Sequence, residues 1–243
     1  MKGTFVVVDG LDGVGKGVFI DTFVEEAKID GKRVYDVEEF WNRFGYYPDL
    51  EKVSSYDVVL TSEPTFCGVG ELIRKELTAN NGRHYSTRVI AEAFSLDRRI
   101  LYENFVLPLL EAGTEIYQSR SVSTSLVYQR QTAIDEGANF SVDDILELPG
   151  NKFCFSHPMD HLVIPTIGDV SELTTRLEQR QKTDDSEFEV PEFQLKLKPH
   201  YESTELRELF ERNGTKVTYL DAGISLESSK QQAREFYQQN LRK

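Results

Sequence analysis

The stretch Phe5-Val6-Val7-Val8-Asp9-Gly10-Leu11-Asp12-Gly13-Val14-Gly15-Lys16 decides the fold. Four apolar, mostly β-branched residues read as a strand buried on both faces. Directly after Lys16, the spacing of Val18, Ile20, Phe23, Val24 and Ala27 is helical and runs to Gly31. Between strand and helix, the glycines let successive backbone N–H groups turn inward, and the helix N-terminus adds its dipole. An anion fits there, and Lys16 supplies a point charge to its outer oxygens. The spacing from Gly10 through Gly15 to Lys16 is G-x-x-x-x-G-K. In that strand–turn–helix context it predicts a nucleotide phosphate held by Gly10, Asp12, Gly13, Val14, Gly15, Lys16 and Gly17. Gly17 stands where Ser or Thr usually helps to hold Mg2+, so the metal is expected to rest on carboxylates and water.

Strand patterns recur at Asp57–Thr61, Thr114–Tyr117, His161–Ile167 and Val217–Leu220. Helical patterns separate them, at Gly70–Leu77, Ser86–Leu110, Ser123–Gly137, Leu173–Arg180 and Phe193–Phe210, and Ser225–Leu241 closes the chain. Such alternation implies right-handed crossovers and a parallel sheet covered on both faces. The expected fold is therefore α/β, a single three-layer αβα domain over 1–243 with a five-stranded parallel sheet. Pro165 places the end of its strand near an edge or end. Residues Asp36–Tyr56 are longer than a crossover needs and rich in aromatics, which favours a packed surface excursion over a lid on the substrate.

The chain has 243 residues with 28 Lys and Arg against 41 Asp and Glu, a net charge of −13. A field of that sign repels phosphate backbones and argues against nucleic acid as a partner, while leaving room for one basic pocket. Two cysteines, Cys67 and Cys154, are too few for a disulfide framework and point to a reducing compartment. The apolar runs are too short for a signal peptide or a membrane span, so a cytoplasmic protein without a membrane partner is expected. Cys154, His157 and His161 have the spacing C-x2-H-x3-H, but a structural zinc site wants four ligands, and a loop leading into a strand is the expected reading.

Three segments carry polar groups where such a fold presents them, at strand ends and helix starts. Ser62-Glu63-Pro64-Thr65 follows the second strand, and Ser119-Arg120-Ser121 follows the third and leads to Ser125, Tyr128 and Gln129. Phe94 and Arg98 lie four apart in the long helix and share a face. A ring beside a guanidinium suits a flat heterocycle, although a core Phe94 and an ion-paired Arg98 are the commoner arrangements.

Taken with the loop, these segments resemble the thymidylate kinase family. The similarity runs in order through VVVDGLDGVGKG, TSEPTFCGVGELIRKEL, AEAFSLDRR…VLPLLEAG and SRSVSTSLVYQ, then more weakly through HLVIPTI…RLEQR, FQLKL…Y and YLDA. The resemblance implies a P-loop fold that moves the γ-phosphate of ATP, with Mg2+, onto dTMP to give dTDP. It implies that Asp12 contacts the nucleoside 3′-hydroxyl or the metal sphere. Phe94 would stack on thymine, Arg98 would bond its O4 edge, and Ser125 and Gln129 would meet the base. Tyr128 would crowd the 2′ position, and Arg120 would hold the acceptor phosphate beside Glu63 and Pro64. Arg176 or Arg180, with the polar stretch to residue 192, would form a mobile lid over ATP. Lys16, Arg120, Asp12 and Arg180 would then be the catalytic set. Members commonly dimerise through helices, and Ile90–Leu110 could serve. The family often has Arg where this chain has Ser62 and usually Asp where it has Ser119, so with Gly17 three departures adjoin phosphates or metal. A kinase for another pyrimidine deoxynucleotide or nucleoside, or a nucleotide-binding homologue with little transfer, are the alternatives.

Overall fold

The computed structural model describes residues 2–178, 188 and 190–242. In chain order, β1 (Phe5–Val8), α1 (Lys16–Ile29), β2 (Val34–Asp36), α2 (Val37–Phe44), α3 (Leu50–Val53), β3 (Val58–Ser62), α4 (Gly68–Leu72), α5 (Thr87–Leu101) and α6 (Leu107–Glu111) form the first half. The second half holds β4 (Glu115–Ser119), α7 (Val122–Glu136), α8 (Val142–Glu147), α9 (Pro149–Phe155), β5 (His161–Thr166), α10 (Val170–Glu178), α11 (Pro191–Tyr201), α12 (Thr204–Arg212), β6 (Lys216–Asp221) and α13 (Leu226–Asn240). The strands pair in the order β2-β3-β4-β1-β5-β6, all parallel, with helices on both faces. This is the expected α/β class with six strands rather than five. The extra strand, β2, is three residues long at the sheet edge, and its Asp36 already caps α2 by accepting from the Glu38 N–H, so no alternation marks it.

Hydrophobic burial fixes the register. Val6, Val7 and Val8 are wholly buried, as expected of a central strand between two helix layers. Val8 pairs with Ser119 and Ser62 pairs with the same Ser119, so β1, β3 and β4 end level and release their loops into one crevice. Pro165 sits on the interior strand β5, but β1 has its last register partner at Val163, so the missing N–H lies beyond that pairing. The long helix at 86–110 is present in three parts, with a π turn at Tyr102–Val106 between α5 and α6. The expected Phe193–Phe210 helix splits, because Ser203 turns the chain and caps α12 by accepting from the Leu206 N–H.

Part of the 36–56 segment packs on the core, while Phe44 and Tyr46 are exposed. Val37 and Trp41 of α2 are buried, and Tyr47 meets the rings of Trp41 and Phe105 at 5.6 Å. Cys67 and Cys154 are free and buried. Among the described residues no group of three or more His, Cys, Asp or Glu is arranged to hold a metal, and no helix is long and apolar enough to cross a membrane.

Candidate active site

The loop between β1 and α1 adopts the phosphate-cradling form. Gly13 and Gly15 take φ of 79° and 100°, a backbone that side chains resist, and Gly15 hands the chain to α1. Lys16 Nζ folds back over the loop and donates to the carbonyls of Gly10 (2.9 Å) and Leu11 (2.8 Å). Asp9, just before the loop, is buried and anchors it. Its carboxylate accepts from Thr124 Oγ1 at 2.8 Å, from Ser123 Oγ, and from Tyr201 O–H at 3.0 Å. The starts of α7 and the end of α11 are thereby tied to the end of β1.

Asp12 is the centre of a second network. Arg120 Nη2 donates to its Oδ1, Tyr128 O–H donates to its Oδ2 at 2.8 Å, and Gln194 clasps it twice. The Asp12 N–H donates to Gln194 Oε1 at 2.7 Å while Gln194 Nε2 donates to Asp12 Oδ2 at 3.2 Å. Arg120 reaches this place by leaving the sheet at φ 66°, an uncommon conformation for a residue with a side chain, held by its N–H on Val8 O at 3.0 Å. Burial, and then the Asp12 charge, push the Tyr128 hydroxyl far above its ordinary range, so it acts as a donor.

Lys16, Gly17, Ser62, Ser119, Arg120 and Arg176 line one cavity of about 1090 Å³. The three departures from the family pattern therefore meet in a single place. Arg176 donates to Ala222 O at 2.9 Å and to Val14 O at 3.3 Å, which brings α10 against the loop. Arg74 lies in the same wall, its guanidinium carbon 3.7 Å from the centre of the Phe66 ring. Asp12, Asp21 and Glu38 add carboxylate oxygens, donors of the kind Mg2+ takes, and Glu38 with Asn42 comes from the inserted α2.

The ring-and-guanidinium pair resolves differently. Arg98 is wholly buried and engaged: Nε donates to Glu63 Oε2 at 2.7 Å, Nη1 to Asn151 Oδ1, and Nη2 to Ser121 O (3.2 Å) and Ser125 Oγ (3.1 Å). Gln118 Nε2 completes the brace by donating to Glu63 Oε1 at 3.0 Å and to Arg120 O at 2.9 Å. Burial pushes the Glu63 carboxyl up to about 7, against the pull of Arg98. The native state then keeps a proton that the unfolded chain releases near its ordinary value. This contribution to stability is full below that value and disappears as pH rises through about 7. Unfolding titrations in urea should show the stability of the parent falling between pH 5 and 8 relative to Glu63→Gln, which cannot titrate; parallel curves would refute the shift.

Phe94, Tyr128, Gln129 and Phe188 border a slot of only about 30 Å³, one water's share of liquid. Phe188 packs against Tyr128 (6.1 Å between ring centres) and Phe193 (5.5 Å). Gln129 Oε1, buried beside it, has no partner among the described residues. A planar ring enters only if Phe188 gives way. Phe188→Ala is expected to tighten binding of a planar heterocyclic ligand in this slot about threefold to tenfold by removing that competitor. Calorimetry showing weaker binding would place Phe188 with the bound ring instead.

Arg74 lines the cavity, and Asp9, Asn151 and Gln194 brace the residues around it; all four escape a reading of the sequence. Arg74 carried the best signal, as a cation in the helix that follows Glu63-Pro64. Arg180 and most of 181–192 lie outside the described residues.

Residues 49–233 match the family model for thymidylate kinase. The chain belongs to the thymidylate kinase family. Among curated family members, the probable thymidylate kinase of Thermococcus gammatolerans is 31% identical over 139 residues, covering 55% of this chain and 55% of its own length. That of Pyrococcus abyssi is 27% identical over 187 residues, covering 75% of this chain and 80% of its own. The chain thus matches about half the length of the first family member. The solved thymidylate kinase of Candida albicans superposes with a TM-score of 0.62 at 17% identity, covering 98% of this chain and 92% of that one, which shows the shared fold.

Proposed function

We propose that this family member transfers the γ-phosphate of ATP to dTMP, giving dTDP and ADP. One observation carries the reading: Lys16 of the phosphate loop and Arg120 at the end of β4 face a single cavity, with the Phe94–Gln129 slot beside it.

Phosphoryl transfer needs donor and acceptor in line and positive charge around the moving group. The loop amides and Lys16 hold the donor phosphates, and Lys16 exchanges its two loop carbonyls for phosphate oxygens. Arg120 releases Asp12 and holds the acceptor phosphate, while Asp12 turns to the 3′-hydroxyl. Phe94 and Gln129 take the pyrimidine. Arg98 and Ser125, buried and bonded to each other, line neither the slot nor the cavity; they brace the helices that carry Phe94 and Gln129. Tyr128 stands over the 2′ position and favours deoxyribose. Asp21 and Glu38, with water, are the carboxylates in the cavity that would hold Mg2+, which would supply positive charge to the phosphates. Arg176, held against the loop, faces the donor phosphates. The acceptor oxygen is already ionised at neutral pH, so no strong general base is required.

The exposed Val89 and Leu96 of α5, with Leu72 of α4, suit a homodimer, and two free thiols suit a reducing cytoplasm. ADP release coupled to a reporter, measured across dTMP, dUMP, dCMP and thymidine, tests the activity. Fastest release with dTMP is expected. Faster release with another acceptor would reassign the substrate, and none with any acceptor would leave a nucleotide-binding homologue. That second reading is favoured by the meeting of Gly17, Ser62 and Ser119 in the cavity where transfer must occur.

A further inference from the structure

We propose that the Ser62 hydroxyl is a ligand for nucleotide phosphate. The proposal rests on the reading of the cavity as a phosphate site. Ser62 closes β3 in register with Ser119 at the end of β4. Parallel partners share a sheet face, as do residues two apart along a strand. Tyr117, two before Ser119, sets its ring 6.0 Å from that of Phe23 on α1. Ser62 therefore lies on the face that α1 covers, and α1 begins at the phosphate loop. Ser62 and Ser119 line the cavity together with Lys16 and Arg120.

An independent observation is a hydroxyl with nothing to bond. Ser62 is 5% exposed, and its Oγ has no hydrogen-bond partner among the described residues. Three hydroxyls on nearby residues are satisfied: Thr61 Oγ1 donates to Gln118 Oε1 at 3.0 Å, Thr65 Oγ1 to Asp97 Oδ1 at 2.7 Å, and Ser123 Oγ to Asp9. A buried polar group without a partner is costly and calls for an explanation. A phosphate oxygen in the adjoining cavity supplies one. The hydroxyl rotates freely, is small enough to share the space with Ser119, and donates to an anion whose charge Lys16 and Arg120 balance. Donor and acceptor nucleotides both bring that chemistry, and the adjacency to Arg120 favours the acceptor.

Calorimetry on the full chain and on Ser62→Ala, with dTMP, thymidine and a non-hydrolysable ATP analogue, tests this. Affinity for one phosphate-bearing ligand is expected to fall about tenfold, the scale of a hydrogen bond to a charged group. A fall for dTMP assigns the acceptor, and a fall for the ATP analogue assigns the donor. Thymidine binding should not change, and Tm should not drop, because the deleted hydroxyl had no protein partner. Ser62→Thr, which keeps the hydroxyl, should bind as the parent does. Unchanged affinity for both phosphate ligands in Ser62→Ala would overturn the assignment. So would a lowered Tm with equal weakening toward thymidine, which marks a structural role. A parent protein that binds none of the three would instead refute the nucleotide reading, so the two failures are distinguishable.

Discussion

Lys16→Ala is expected to lower kcat/KM for ATP-dependent phosphorylation of dTMP by at least about 10²-fold, the usual scale for losing one preorganised charge contact at a reacting group. The ammonium already sits over the loop, 2.9 and 2.8 Å from two of its carbonyls, so the variant loses charge at the donor phosphates without loss of a buried core side chain. Steady-state rates with saturating acceptor separate the contributions. A fall in kcat marks charge supplied in the transition state, and a rise in KM for ATP alone marks binding only. Turnover equal to that of the parent would remove Lys16 from the mechanism.

The second large effect concerns folding. Arg98→Ala leaves Glu63 buried beside an empty space and strips Asn151 and Ser125 of their donor. Removing one partner of a buried pair usually costs about 3–5 kcal/mol, because the groups left behind lose their hydrogen bonds and have no solvent to turn to. Urea unfolding should show a loss of that order, and the double variant Arg98→Leu with Glu63→Leu should recover much of it. A loss below about 1 kcal/mol would show that the network is dispensable. The brace also ties three helices together, since α5, α7 and α9 all meet at this guanidinium.

The central strands, the phosphate loop and the helices that flank them are legible in the sequence because each is a long local signal: a β-branched run, a fixed glycine spacing, a 3.6-residue period. β2 is not, since three half-exposed residues carry no period, and neither is the break at Ser203, where a single cap outweighs continuous helical spacing. Within the site, Lys16 is recognisable from the fixed glycine spacing of the loop, and Arg120 as a cation just past a strand end. Arg98 shows the limit of that reasoning. Its four-residue spacing from Phe94 is compatible with reading a base and with closing a buried ion pair, and only the positions of Glu63 and Asn151, 35 and 53 residues away along the chain, settle what its side chain does in the resting protein. Gln194 is hidden for the same reason: its partner Asp12 is 182 residues earlier.

Asp12 holds Arg120 in an ion pair at the mouth of the loop. A guanidinium clasped by its own protein's carboxylate is a poor trap for stray anions. On the proposed reading, inorganic phosphate or sulfate at Arg120 would have to break that clasp and would bring no ring to displace Phe188, so free anions are expected to compete weakly there with molecules that carry a charge and an aromatic plane together.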